Sequence, residues 1–245
     1  MPGRVIFLSF FILLLAACSN TGQPKENHAD PTQPRTLVSE TDTFYGGKEL
    51  MCLKDTTEAA FKKFFREFKR DTSEAVNIRP YIDAVQRTGD SLTISFSNGT
   101  KKIYVNKPFT REIDDFIQYS YYGKIKELGY HVLFVGIYES FSYLLINEKT
   151  GKETYMCGIP VVSPNKKYLA ATCCDLEAGF VFNGVQMYDV TQDSLLPVWK
   201  RELTKWGADE MAWIDDHNLV LKKQQFDTVQ HNLVSSFIKL SCCGK

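Results

Sequence analysis

What these 245 residues lack is a catalytic vocabulary. No G-x-S-x-G, H-E-x-x-H or dinucleotide-binding glycine pattern occurs, so serine-hydrolase, zinc-protease and Rossmann readings have no residues to stand on. Gly46-Gly47-Lys48 is not a phosphate loop, because that loop needs a further glycine where Asp42 sits. Histidine is scarce: His28, His131, His217 and His231 are the whole supply. No Cys-x-x-Cys spacing exists and no histidine neighbours Cys173-Cys174 or Cys242-Cys243, which argues against a metal site. Neither sign of charge is in excess, 29 Lys and Arg standing against 29 Asp and Glu, so no long-range field draws nucleic acid. No cofactor is called for. No apolar run is long enough to cross a bilayer: Val5 to Cys18 is 14 residues, against the roughly 20 a transmembrane helix needs.

What is present begins at the start of the chain. Arg4 is a short positive region, Val5 to Leu15 is apolar except for Ser9, and Ala16-Ala17 precede a cysteine, the order of a secretory signal. Leu15-Ala16-Ala17-Cys18 resembles the lipobox of bacterial lipoproteins. The resemblance implies that residues 1–17 are a signal peptide, and that the Cys18 sulfur takes a diacylglyceryl group and its freed amine a further acyl chain such as palmitate. Two or three such chains hold a protein on a membrane, since each buried methylene contributes about 0.8 kcal/mol. Ser19, where an Asp would retain the protein at the inner membrane, implies a bacterial outer membrane if there are two. The expected location is the cell envelope.

Residues 18–40 carry Pro24, Pro31 and Pro34 with many polar side chains and no aromatics; they are expected to be a lipidated, disordered tether with a reach of roughly 25 Å. Residues 41–90 are expected to be an N-terminal helical segment packed on the body. Its helix is predicted over Thr56–Arg70, with Asp55 as N-cap, Glu58 three residues on, and Phe61, Phe64, Phe65 and Phe68 on one face. Lys62, Lys63, Arg66, Lys69 and Arg70 fill the rest. The aromatic stripe docks on a sheet in one reading and lies on the membrane surface in the other; the first is favoured, because the acyl chains already supply attachment.

Residues 91–245 read as β. Leu92, Ile94 and Phe96 alternate with polar residues, Asn98-Gly99 is a turn signal, and Ile103-Tyr104-Val105 follow. Strands continue from Ile113 to Leu240. Tyr143–Lys152 and Val185–Ser194 look like one strand and turn written twice, 42 residues apart, and Tyr130–Glu139 pairs with Tyr168–Glu177 at an offset of 38. Ile159–Thr172, IPVVSPNKKYLAAT, is similar to the WD40-like repeats of bacterial periplasmic propellers, with Asn165-Lys166 where that family has Asp-Gly; Met211–Leu221 is a fainter echo. The resemblance implies blade-like units at about 113–156, 157–203 and 208–240, with the 91–105 hairpin part of a fourth. The expected fold class is mainly β: an antiparallel, propeller-like β-meander with one N-terminal amphipathic helix. An open or irregular meander is the alternative, because closed propellers need four or more blades.

Six cysteines besides Cys18 remain: Cys52, Cys157, Cys173, Cys174, Cys242 and Cys243. Export permits disulfides among them, with 15 complete pairings, and buried thiols are the competing reading. Neighbouring cysteines on a strand face opposite ways, so neither adjacent pair serves one compact site. His131 sits in a strand as a structural imidazole, and Asp215-Asp216-His217-Asn218 reads first as a turn. Asp114-Asp115, and Asp175 with Glu177, are the carboxylates a glycosidase could use. Trp199, Trp206, Trp213, Tyr119, Tyr121 and Tyr122 could stack on sugars or fill a core. No catalytic set emerges. The expectation is a lipid-anchored, non-catalytic binding or scaffolding module with an envelope protein or glycan partner; the alternative is an envelope hydrolase acting on glycans through carboxylates on strand-end loops.

Overall fold

A computed structural model describes residues 43–109, 116–227 and 232–243, and among these described residues lie sixteen strands and two short helices. All of them belong to one unit, Ser39–Lys245. The lipobox with Cys18, the tether, His28, Asp114-Asp115 and His231 lie outside the described residues.

The fold is mainly β and every strand pairing is antiparallel. A terminal sheet joins both ends of the described chain in the order β1 (Thr43–Gly46), β2 (Glu49–Thr56), β16 (Asn232–Cys242), β15 (Asn218–Asp227), β14 (Gly207–Trp213). A three-stranded sheet follows in sequence, β3 (Val85–Thr88), β4 (Ser91–Ser95) and β5 (Lys101–Val105). Next come β6 (Ile117–Ile125), β7 (Tyr130–Ile137), β8 (Ser140–Asn147) and β9 (Glu153–Met156). The last sheet is β10 (Val161–Val162), β11 (Tyr168–Cys173), β12 (Gly184–Val190) and β13 (Leu195–Glu202). None of the four closes into a barrel or a propeller. The repeat offsets read in the sequence fall on equivalent strands: the 42-residue offset superposes β8 on β12 and the 38-residue offset superposes β7 on β11.

The sheets pack through three apolar clusters in chain order. Val85, Leu92 and Ile94 meet Leu133, Leu144 and Ile146; Val132 and Leu145 meet Leu169 and Ala171; Ala170 and Met187 meet Met211, Leu219 and Leu240. The two middle sheets are covered on both faces, which is why β7 and β8 are near-continuous apolar runs while β4 alternates buried and half-buried residues. A buried leucine or phenylalanine contributes about 1.5–3 kcal/mol, so this stacking carries most of the stability.

Residues 41–90 hold more strand than expected, supplying β1, β2 and β3 to two sheets. The helix predicted over 56–70 is shorter: α1 runs Glu58–Phe64, and its cap is Thr57, whose side chain accepts from the Ala60 N–H at 3.2 Å. Asp55 is not the cap because β2 continues through it, paired with Ile238. Phe61 docks on Ala212, Val220 and Phe237 of the terminal sheet, so the aromatic face meets protein. Phe65 turns extended (φ −61, ψ 132) and ends the helix. A second helix, α2 (Glu74–Ile78), runs into a 3-10 turn at Arg79–Tyr81. The Asn98-Gly99 signal lies in the loop joining β4 to β5, with Gly99 at φ +81 and the Phe96 N–H donating to Thr100.

Candidate functional site

Three edge strands, β6, β10 and β14, border a cavity of about 1210 Å³, and residues 64–72 lie along it. On the β6 side a bulge between Tyr121 and Gly123 opens the backbone. Gly123 adopts φ +135, a backbone conformation that favours glycine, and the Phe68 ring packs over it, 3.6 Å from where a Cβ would stand. Tyr122 stacks on Phe134 and meets Tyr143 edge-on, with centroids 5.9 and 5.2 Å apart, and the Arg70 guanidinium lies 4.1 Å over the Tyr122 ring. Burial, then the hydrogen bond with Tyr122, raises the Tyr143 phenol far above its ordinary range.

The second wall is Cys157–Val162 with Thr172–Cys174. Gly158 is pressed against the Thr172 carbonyl, with no room for a side chain, and the Thr172 hydroxyl donates to Gly184 and Ala208 carbonyls. Cys157, Cys173 and Cys174 keep free thiols here. Burial pushes them up to about 12, about 11 and about 11, so at neutral pH they stay protonated and are poor nucleophiles. The third wall is Asp209–Trp213. Asp209 sits where the ladder to β15 slips, and Lys222 reaches both it (2.8 Å) and Glu210 (3.6 Å). The Trp213 indole donates to the Val161 carbonyl at 3.1 Å, tying β14 to β10. Among the described residues no three His, Cys, Asp or Glu side chains are grouped to hold a metal ion, and no helix is long and apolar enough to cross a membrane.

The residues singled out in the sequence fall into separate places. Cys52 is bonded to Cys243, while Cys242 donates its thiol to Glu49 at 2.7 Å, so that adjacent pair does split between two partners. Cys173 packs between the middle sheets, and Cys174 faces Gly207. His131 is buried against the Tyr121 hydroxyl at 2.9 Å. Asp215 accepts from the backbone of His217 and Asn218, which makes 215–218 the turn between β14 and β15. Asp175 accepts from the N–H groups of Val181, Gly179 and Ala178, which hold its carboxyl below the usual range and tie a loop. Trp206, Tyr119 and Tyr121 fill cores, and Trp199 packs on Phe44; only Trp213 and Tyr122 of the proposed stacking residues reach the cavity. Sequence reasoning missed the span 65–72, Phe141 and Tyr143, and the Lys222 pairing, because each is defined by contact between residues far apart in sequence or on neighbouring strands whose register the sequence does not give. No protein-family model, curated protein or solved structure matches this chain.

Proposed function

We propose that this chain is a lipid-anchored cell-envelope protein whose β body is a non-catalytic binding module, with the cavity between β6, β10 and β14 as its ligand site. The anchoring rests on Leu15-Ala16-Ala17-Cys18 behind a signal-like run. The binding reading is carried by one observation: the cavity offers an aromatic wall, while both carboxylates of its β14 wall are paired with Lys222. Such a pair is poorly placed to exchange a proton with a substrate. In this reading the four stacked sheets are an open, propeller-like set, and the cavity lies where the edge strands β6, β10 and β14 of three of them come together.

Growth with an alkyne-bearing palmitate tests the anchor. The protein is expected to take up the label and sediment with membranes, and Cys18→Ala to lose both; equal labelling of the two would remove the anchor. The hydrolase alternative rests on Asp209 and Glu210 standing on a cavity wall. Release of reducing sugar from an envelope glycan, abolished by Asp209→Asn, would replace the binding reading.

A further inference from the structure

Residues 65–70 follow a helical pattern in sequence and yet form no helix: Phe65 turns extended and the residues after it line the cavity. They contain no glycine, proline or β-branched residue, and the Phe61, Phe64, Phe65, Phe68 spacing would continue α1 by two turns. Something outside the segment therefore overrides its local preference. That something is the β6 wall of the cavity, where Phe68 packs over Gly123 and Arg70 lies over Tyr122. The charges agree. The cavity-lining residues of the segment are Arg66, Lys69 and Arg70 against Glu67, an excess of two positive charges. The fixed walls present Glu127, Asp209 and Glu210 against Lys124, an excess of two negative ones. Counting the ion partners Lys222 and Glu148 leaves that excess unchanged. β10 and β14 are edge strands whose Val161 and Ala208 carbonyls accept from Trp213 and Thr172, and among the described residues no main-chain hydrogen bond joins 66–70 to either strand.

We propose that the cavity is a docking groove for an extended, basic peptide segment bearing an aromatic side chain, and that Phe65–Arg70 is its built-in occupant. The inference rests on the reading of the cavity as the ligand site and names the partner's chemistry. An incoming segment would seat its aromatic ring at Gly123, set its cations against the acidic walls, and add main-chain bonds to β10 or β14 that the internal segment does not make. The displaced residues would be free to wind onto α1. The native segment competes from a high effective concentration, so the resting protein binds weakly.

The test is fluorescence anisotropy with a labelled peptide copying Phe64–Arg70, titrated with the full-length protein in detergent and with Phe68→Ala/Arg70→Ala. The double variant should bind at least about tenfold more tightly than the native protein, because the competitor is weakened. Raising salt from about 50 to about 500 mM should weaken that binding. A peptide with alanine in place of the Phe68 equivalent should bind at least about tenfold less well, the expected loss of one buried ring. Arg70→Ala alone, which removes only an exposed side chain, should gain affinity in the same direction and guards against a double variant that fails to fold. If neither variant exceeds the native protein, or the alanine peptide binds as well, the proposal is overturned. Polygalacturonate binding in place of the peptide also overturns it while leaving the cavity a binding site, whereas failure of peptide and glycan alike removes both readings.

Discussion

Cys52 and Cys243 are joined across 191 residues, the first on β2 and the second just past β16, two strands that already pair side by side. The bond therefore fastens the second and last strands of the described body, which lie side by side in one sheet. A cross-link over so long a loop removes much of the unfolded chain's freedom. Reduction, or Cys52→Ser with Cys243→Ser, is expected to lower unfolding free energy by about 4 kcal/mol, read from urea curves with and without dithiothreitol. An unchanged midpoint would mean that the ladder alone holds the ends.

Lys166 adopts φ +60, a left-handed backbone that glycine takes at less cost. Its neighbour Asn165 closes the same turn, with its side-chain oxygen accepting from the Lys167 N–H and the Ser163 hydroxyl. Lys166→Gly should stabilise the protein by about 0.5 kcal/mol through relief of the left-handed backbone, less the added entropy of glycine. Asn165→Ala should cost about 1–2 kcal/mol by stranding those donors. Thermal melts of the two variants should move in opposite directions.

His131 is 2 % exposed. Burial, followed by repulsion from Lys124, lowers its pKa to about 4, and Glu148 opposes this only in part. Tyr121 and Tyr81 are its other close neighbours. The folded protein thus favours the neutral ring, while the unfolded chain binds a proton near pH 6.5, so between these values the unfolded state holds more protons. Stability should be complete above about pH 6.5 and fall as pH drops towards 4, by up to about 3 kcal/mol. His131→Gln should flatten that part of the profile in urea titrations from pH 4 to pH 7.

Glu74 on α2 binds three groups from two sheets. Its carboxylate accepts from Arg87 Nε (3.0 Å) and Nη2 (2.7 Å) and from the Tyr121 N–H (2.7 Å), and Arg87 also donates to the Tyr119 carbonyl. Removing it leaves a half-buried guanidinium and a backbone donor without their anion. Glu74→Ala should cost about 2 kcal/mol and Glu74→Gln about half as much, with native-state hydrogen exchange rising first in residues 74–81.

The helix shows why a correct pattern can still mislead. Phe61, Phe64, Phe65 and Phe68 are spaced for one face, and α1 does start where such a face would. Yet Phe61 belongs to the cluster on the terminal sheet and Phe68 to the cluster between the middle sheets, and one helical face cannot serve both. Tertiary burial of two aromatic rings outweighs the few tenths of a kcal/mol per residue that helix propensity offers. The cavity was hidden from sequence for the same reason, since its walls come from stretches near residues 68, 122, 158 and 210.

By itself the sequence determined what depends on neighbours along the chain. Period-two runs, the Asn98-Gly99 and Asp215–Asn218 turns, and the 42- and 38-residue offsets placed strands and their equivalence, because pleat and turn conformation are local properties. Only the tertiary structure decided which sheet each strand joined, that Cys52 found Cys243 while Cys157, Cys173 and Cys174 stayed thiols, and that residues 65–70 left their helix. Those outcomes rest on which surfaces exclude water against one another, and that is a relation between distant residues rather than a property of any one stretch.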